Sequence, residues 1–320
     1  MASRASDKPR IRETGGNVLI LGGGGARGFA HLGVLKVLED AGVRIDRIIG
    51  VSIGALVGAV YCNNPNATEC IDATRDYITS EHFAKYYDRM MRTSKRAKVS
   101  NGDAPDEIEG EESDDPQNRW FGKLRDYLKA TFAFHRVVMK QSILSNRPLE
   151  DCLEHIAVNG PMEDLPLPLT IVAADLKSGS RVRMESGDLF SAVLGSAALP
   201  GIFPPVERDN HLLADYGVVC SIPISTALHY KPERIIGVDL TPELAYREEF
   251  SSGLDVLNRM EEIGCYLFKE HTAAYADVMI RPSVNHVDWA DFADMDSVIE
   301  RGVIAAEAVL PTLLRTRNAG

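Results

Sequence analysis

Two glycine-rich turns near the start of the chain constrain its fold more than any other feature. The apolar run 17–21 stops at four successive glycines, and residues with helical apolar spacing follow from Phe29. A second apolar run, 47–50, leads into the pattern G-x-S-x-G at residues 50–54, and another helical stretch follows it. A short buried strand, a tight turn and a helix, twice in succession, are typical of an α/β fold with parallel strands.

Later parts of the chain repeat this alternation. Strand-like apolar runs recur at 169–174 and 234–240. With 320 residues, of which 45% are hydrophobic, the chain can bury one large core. We therefore predict an α/β three-layer sandwich with a mainly parallel central sheet and helices on both faces. Residues 16–320 are expected to form a single domain, preceded by a disordered tail at 1–15.

Charge is distributed unevenly along the chain. The 35 basic and 46 acidic side chains give a formal net charge of −11, which argues against nucleic-acid binding through a broad basic face. Residues 99–117 hold eight acidic and no basic side chains, so we predict a disordered insertion there. The basic stretch 119–139 has apolar residues on one helical face. It is either a helix packed on the core or an interfacial helix that meets anionic headgroups.

Cysteine usage and the absence of long apolar runs limit the cellular compartment in which we expect the protein. None of the five cysteines is spaced C-x-x-C, which argues against a disulfide scaffold or a structural zinc site and favours a reducing compartment. The first fifteen residues lack the apolar core of a signal peptide, and no apolar run reaches the ~18 residues of a transmembrane helix. We expect a cytoplasmic protein, and any membrane contact is expected to be peripheral, at the inner face.

The glycine loop at 22–28 is expected to form an anion cradle. Its glycines leave backbone N–H groups bare beside the start of a helix. They also satisfy G-x-G-x-x-G, so a dinucleotide-binding domain is an alternative. That alternative requires an acidic residue at the end of the second strand, whereas Asp46 precedes that strand. The loop lacks G-K-[ST] and is therefore not a Walker A loop.

Ser52 lies at the centre of the G-x-S-x-G pattern, between a strand and a helix, which is the context of a nucleophile elbow. Gly50 and Gly54 would allow the sharp bend, and the alternative role of Ser52 is to cap the helix. None of the eight histidines occupies a position typical of a hydrolase histidine loop. Asp215 ends a short apolar run and is the alternative base, provided that it contacts Ser52 in a partly dry site. A turn-forming role for Asp215 stays open.

Several segments together resemble the patatin-like phospholipase family. They are residues 22–35, 50–59 and 213–224, with further matching segments at 173–179 and 195–206. The resemblance implies the patatin-like fold, a Ser52–Asp215 dyad, and hydrolysis of acyl esters of phospholipids, lysophospholipids or neutral glycerolipids without a metal or organic cofactor. The implied oxyanion hole consists of the backbone N–H groups of Gly23, Gly24, Gly25, Ala26, Arg27 and Gly28.

One position beside the implied dyad departs from the pattern of that family. The family usually shows Asp-Gly-Gly, whereas Tyr216 follows Asp215 here. A side chain at 216 could crowd the dyad or require a different backbone angle. This departure and the basic stretch 119–139 motivate an alternative in which the fold serves a regulatory or membrane-binding protein without catalysis. Oligomeric state, acyl-chain preference and headgroup preference are left open by the sequence.

Overall fold

The computed structural model describes residues 15–84, 87, 142, 144–156 and 158–315. The predicted acidic insertion at 99–117, the basic stretch 119–139 and residues 1–14 of the predicted tail lie outside the described residues. The strands are β1 (Asn17–Leu21), β2 (Arg47–Val51), β3 (Leu169–Asp175), β4 (Ser180–Met184), β5 (Val206–Arg208), β6 (His211–Ala214), β7 (Arg234–Val238) and β8 (Val278–Ile280). The α-helices are α1 (Phe29–Asp40), α2 (Ile53–Asn63), α3 (Ala67–Ile78), α4 (Arg147–His155), α5 (Leu189–Ser196), α6 (Gly253–Ala273) and α7 (Met295–Leu314). None of these helices is long and apolar enough to cross a membrane.

Parallel strands form the centre of the sheet. The strand order is β5-β6-β3-β2-β1-β7-β8, and β4 also pairs with β3. Strands β3, β2, β1, β7 and β8 are parallel, whereas β4 and β6 run antiparallel to β3 and β5 runs antiparallel to β6. The sheet is therefore mixed but mainly parallel, as the apolar runs and glycine turns predicted.

The central strands are buried on both faces, and alternate residues contribute to two separate cores. Leu19 and Leu21 of β1 pack in the larger core, together with side chains of α1, α2 and α7. Val18 and Ile20 face the smaller core, which the 3₁₀ helix Ile224–Tyr230 helps to form. Helix α6 packs on the 3₁₀ helices of this second layer. The structure thus confirms the three-layer α/β sandwich with helices on both faces of the sheet.

Strand register brings two chain segments to the same level of the sheet. Val51, the last residue of β2, pairs with Val172 of β3. Ala214, the last residue of β6, pairs with Ala174 on the other side of β3. Because β6 runs antiparallel to β3, the residue that follows β2 and the residue that follows β6 both lie level with the β3 residue between Val172 and Ala174. The residues that follow β2 and β6 are Ser52 and Asp215.

Candidate active site

Ser52 occupies the turn between β2 and α2 in a backbone conformation that is rare for a residue with a side chain. Its φ is 55° and its ψ is −127°. Its hydroxyl makes no capping hydrogen bond to α2, so Ser52 does not serve as a capping serine. Strain of this kind costs of order 1–3 kcal/mol and persists mainly at functional sites. The geometry is that of a nucleophile elbow.

The two glycines that flank Ser52 are required by close backbone contacts. A Cβ atom at Gly54 would lie 2.1 Å from the carbonyl oxygen of Leu21, at the end of β1. A Cβ atom at Gly50 would lie 2.5 Å from the carbonyl oxygen of Gly54. Since neither neighbour is a flexible side chain, any other residue at these positions would force the strand and the helix apart.

Ser196 anchors the elbow to the neighbouring strand. The Ser52 amide donates a hydrogen bond to Ser196 Oγ at 3.0 Å, and the Ser196 hydroxyl donates to the carbonyl oxygen of Val172 at 2.7 Å. Ser196 is fully buried at the end of α5. No local pattern in the sequence indicates this role. Only the resemblance in the segment 195–206 pointed to this part of the chain.

Asp215 combines burial with two hydrogen bonds. Its carboxylate accepts one from the Ser52 hydroxyl and one from the Gly217 amide, the latter at 2.7 Å. Burial raises the pKa of Asp215 to about 6, although both hydrogen bonds oppose that rise. A carboxylate with this pKa is a stronger base than an exposed aspartate, and it contacts the proton that it would take. The turn-forming role exists as well, because Asp215 also caps the 3₁₀ helix Tyr216–Val218.

The residue after Asp215 is accommodated without a special backbone angle. Tyr216 lies in the 3₁₀ helix, and its buried side chain packs in the smaller core and hydrogen-bonds Arg181. The next position is the more sensitive one, because a Cβ atom at Gly217 would lie 2.9 Å from Asp215 Oδ1 and displace the carboxylate. The departure at 216 therefore leaves the contact between the backbone and the Asp215 carboxylate intact.

Several amides of the glycine loop are already engaged by the protein. Gly23 donates its N–H to the carbonyl oxygen of Ser221 at 2.7 Å, and Ala26 donates to that of Trp289 at 2.8 Å. The amides of the last two loop residues, Arg27 and Gly28, lie within the turns of a 3₁₀ helix. The prediction that all six amides of the loop form an oxyanion hole is therefore too broad.

Two amides of this loop remain available. Within the described part of the chain, the N–H groups of Gly24 and Gly25 donate no backbone or side-chain hydrogen bond. Gly25 has a φ of 60°, which favours glycine. The loop lies against the nucleophile, since a Cβ atom at Gly23 would be 3.4 Å from the Cβ atom of Ser52. Gly24 and Gly25 are thus the loop residues best suited to bind an oxyanion.

The side chains of Arg27 and His31 hold the glycine loop in place through hydrogen bonds. Arg27 Nε donates to the carbonyl oxygen of Val287 at 2.7 Å, which ties the loop to the segment before α7. His31 is fully buried, and its Nε2 lies 2.8 Å from the carbonyl oxygen of Gly22. Burial lowers the pKa of His31 to about 4, so the neutral ring must donate its Nε2 proton to that carbonyl. His31 therefore supports the loop and has no contact that would make it a base.

Asp46 lies at the wrong end of the sheet for a dinucleotide site. Its carboxylate accepts a hydrogen bond from the Asn17 amide, at the start of β1, at 2.9 Å. The glycine loop follows the opposite end of that strand. Asp46 therefore does not supply the acidic residue that a dinucleotide site requires beside the loop, at the end of β2. No group of three or more His, Cys, Asp or Glu side chains within the described ranges is arranged to hold a metal ion.

Comparison with known proteins gives matches to one family. The family model described as patatin-like phospholipase matches residues 19–228. Neuropathy target esterase sws of Drosophila melanogaster is 29% identical over 96% of this chain and 20% of its own length. Patatin-like phospholipase domain-containing protein 6 of Mus musculus is 25% identical over 96% of this chain and 22% of its own length. The chain thus spans about a fifth of the length of these curated relatives.

Two solved structures are distant matches. VipD from Legionella pneumophila has a TM-score of 0.46 and 13% identity, and the match covers 93% of this chain and 67% of that one. ExoU of Pseudomonas aeruginosa, in complex with SpcU, has a TM-score of 0.39 and 14% identity, covering 95% of this chain and 54% of that one.

Proposed function

This chain belongs to the patatin-like phospholipase family, and from that membership we propose that it is a serine lipid acyl hydrolase acting on carboxylic esters of phospholipids or lysophospholipids. The observation that carries the proposal is the hydrogen bond between the hydroxyl of the strained Ser52 and the buried carboxylate of Asp215. The strained backbone of Ser52 and the buried carboxylate of Asp215 each cost stability, and a simple turn would require neither.

Acylation begins when Ser52 Oγ attacks the ester carbonyl carbon and Asp215 takes the hydroxyl proton. The carbonyl oxygen becomes an oxyanion, which the amides of Gly24 and Gly25 stabilise. The amide of Ile53, at the start of α2, is a third donor because the first amides of a helix lack intrahelical partners. Losing one such donor typically lowers kcat about 10²–10³-fold.

Acylation ends when the tetrahedral intermediate collapses and the bond to the leaving alcohol breaks. The alcohol takes the proton from Asp215, and an acyl ester remains on Ser52. Deacylation then follows the same route with water in place of the alcohol. Asp215 then accepts a proton from water as the water attacks the acyl carbonyl. A second collapse releases the fatty acid and returns the proton to Ser52 Oγ. The elbow, held by Ser196, keeps the hydroxyl in reach of Asp215 throughout.

The test is ester hydrolysis by the purified chain, with lysophosphatidylcholine and a dissolved nitrophenyl ester as substrates. Ser52→Ala and Asp215→Asn should each lose activity by about 10³-fold or more, as expected for removal of the nucleophile or the base. Ser186→Ala, at a serine in an exposed bend, is the matched control and should retain full activity. Undiminished turnover in Ser52→Ala would contradict the proposal.

A fluorophosphonate probe separates this function from a regulatory role without catalysis. The probe reacts with activated serines, so covalent labelling of Ser52 supports the hydrolase. Labelling should disappear in Asp215→Asn, because that variant lacks the base. A wild-type chain that is folded and unlabelled would favour the regulatory alternative.

A further inference from the structure

Helix α6 turns its large apolar side chains away from the body of the protein. We name this surface the α6 apolar face. Its members are each between 40% and 68% exposed and are Val256, Leu257, Met260, Leu267 and Phe268. At 3.6 residues per turn they fall within about a third of the helix circumference. A surface helix of a globular protein normally directs such a stripe toward the core.

The opposite side of α6, which faces the body, is polar. Lys269 and Thr272 are each only 3% exposed. The Lys269 ammonium lies 3.1 Å from the carboxylate of Asp239, which is itself buried at the end of β7. Rotating the apolar face inward would break this ion pair between two buried charges, which is strongly unfavourable. The orientation of α6 is therefore set by its polar contacts.

Helix α6, which carries this face, contacts the proposed active site on its inward side. Cys265, on the inward side of α6, donates a 3.6 Å hydrogen bond from Sγ to the carbonyl oxygen of Gly217. The amide of the same glycine holds the Asp215 carboxylate. Tyr246 and Phe250, in the segment that leads into α6, are also exposed, at 86% and 45%. Apolar exposure thus extends from α6 into the adjoining segment, while the inward side of the same helix contacts the residue that holds Asp215.

We propose that the α6 apolar face docks on a lipid surface whose headgroups are zwitterionic, such as phosphatidylcholine. Residues 241–273 carry seven acidic and only three basic side chains, and Lys269 is one of those three and is already paired. An anionic bilayer surface would repel this region, whereas a zwitterionic surface would not. The inference rests on the proposed function, because a lipid acyl hydrolase meets its substrate in such aggregates.

This assignment differs from the basic interfacial helix considered at 119–139, which lies outside the described residues. A basic helix attracts anionic headgroups through charge. The α6 apolar face instead gains affinity because its apolar area leaves water, while the acidic side chains of residues 241–273 stay on the aqueous side. The two modes predict opposite responses to anionic lipid, which makes them separable by experiment.

The test measures binding of the full chain to phosphatidylcholine vesicles by flotation, in a Ser52→Ala background that leaves the lipid intact. Leu257→Ser combined with Leu267→Ser removes the two most exposed leucines of the face. We expect the vesicle partition coefficient to fall roughly tenfold or more, because each leucine supplies apolar area that leaves water on docking. Val256→Ser combined with Met260→Ser repeats the test on other members of the face.

The matched control replaces Ile304 and Leu314 of α7 by serine, since they are similarly exposed at 50% and 55% but lie on another helix. It should bind vesicles like the wild-type chain. Thermal melting of each variant shows that it is folded. Adding phosphatidylglycerol to the vesicles should weaken binding, and more strongly at low salt.

Three outcomes would overturn the proposal. The first is vesicle binding by the α6 variants equal to that of the control. The second is a preference for anionic vesicles. The third is light scattering that shows a dimer of this chain which the α6 substitutions dissociate, because the face would then join two copies. Failure of the proposed function is separate, since it is read from Ser52-dependent hydrolysis of a dissolved ester without any vesicle.

Discussion

Asp215→Asn should be inactive yet more stable than the wild-type protein at pH 8. Burial raises the pKa of Asp215 from the ordinary 3.8 to about 6, so the native state binds this proton more tightly than the unfolded chain does. The free energy of unfolding of the wild type therefore falls as pH rises from about 4 to about 6, and the whole loss is present above the folded pKa. An amide retains an acceptor for the Gly217 N–H and avoids that loss because it carries no charge.

The magnitude follows from the two pKa values. Their difference corresponds to about 3 kcal/mol at pH 8, at about 1.36 kcal/mol per pKa unit. At about pH 4.5 most of this loss in the free energy of unfolding has disappeared, and about 1 kcal/mol of it remains. Urea denaturation of both proteins at the two pH values, with the slope m compared first, gives the free energies. The advantage of Asp215→Asn should shrink from about 3 to about 1 kcal/mol between them.

Asp175→Asn is the matched control, because Asp175 is also buried at this edge of the sheet. Hydrogen bonds from the Ser178 hydroxyl at 2.6 Å and from His211 Nδ1 at 3.0 Å hold the pKa of Asp175 well below its usual range. Its ionised form therefore stabilises the fold above the unfolded pKa, and this contribution is lost as pH falls. Asp175→Asn should destabilise at pH 8, the opposite sign. A stability gain of Asp215→Asn that is absent at pH 8, or equal at both pH values, would refute the reasoning.

Three further outcomes are expected. For a dissolved ester, kcat/KM should rise about tenfold per pH unit below about pH 6 and level off above it, since ionised Asp215 is the proposed base; a flat profile between pH 5 and 8 would rule out that role. Ser196→Ala leaves the Ser52 amide without its acceptor and should lower kcat about tenfold at unchanged KM, with partial recovery in Ser196→Thr; equal loss in both variants would indicate a packing defect instead. Ser52→Gly should be more stable to urea than Ser52→Ala by about 1–3 kcal/mol, because glycine adopts this backbone conformation without strain; equal stability would contradict the strain.

Most of the parallel part of the sheet could be predicted because β1, β2, β3 and β7 each have a local signal, whereas the three-residue strand β8 was not predicted. The predicted runs 17–21, 47–50 and 169–174 agree within one residue with β1, β2 and β3. The antiparallel strands gave no such signal. Strands β4 to β6 have only three to five residues and are partly exposed, and their pairing with β3 depends on contacts that no local pattern records.

Within the site, residues with a local constraint could be predicted and residues with only distant partners could not. Ser52 stands in a turn whose flanking glycines are visible in the sequence. Ser196 is 144 positions from Ser52, and a serine in an apolar helix has no pattern that reveals an amide as its partner. Which amides of the glycine loop are free was also unpredictable. That depends on the carbonyl groups of Ser221 and Trp289, which come from distant parts of the chain.

A pKa of about 6 suits Asp215 to the role of the proposed base in place of a histidine, and the local geometry makes Gly217 more important to that role than Tyr216. Burial alone would push the carboxyl group toward its protonated form, which cannot accept a proton from Ser52. The hydrogen bonds from Ser52 and from the Gly217 amide act against burial and leave the pKa at about 6. At pH 7 about 90% of the group is then ionised, while its basicity is about a hundredfold above that of an exposed aspartate. A Cβ atom at 217 would press on Oδ1 and disturb the amide contact, whereas the side chain of Tyr216 packs in the smaller core. The glycine at which a side chain would disturb the proposed base is therefore the second after Asp215.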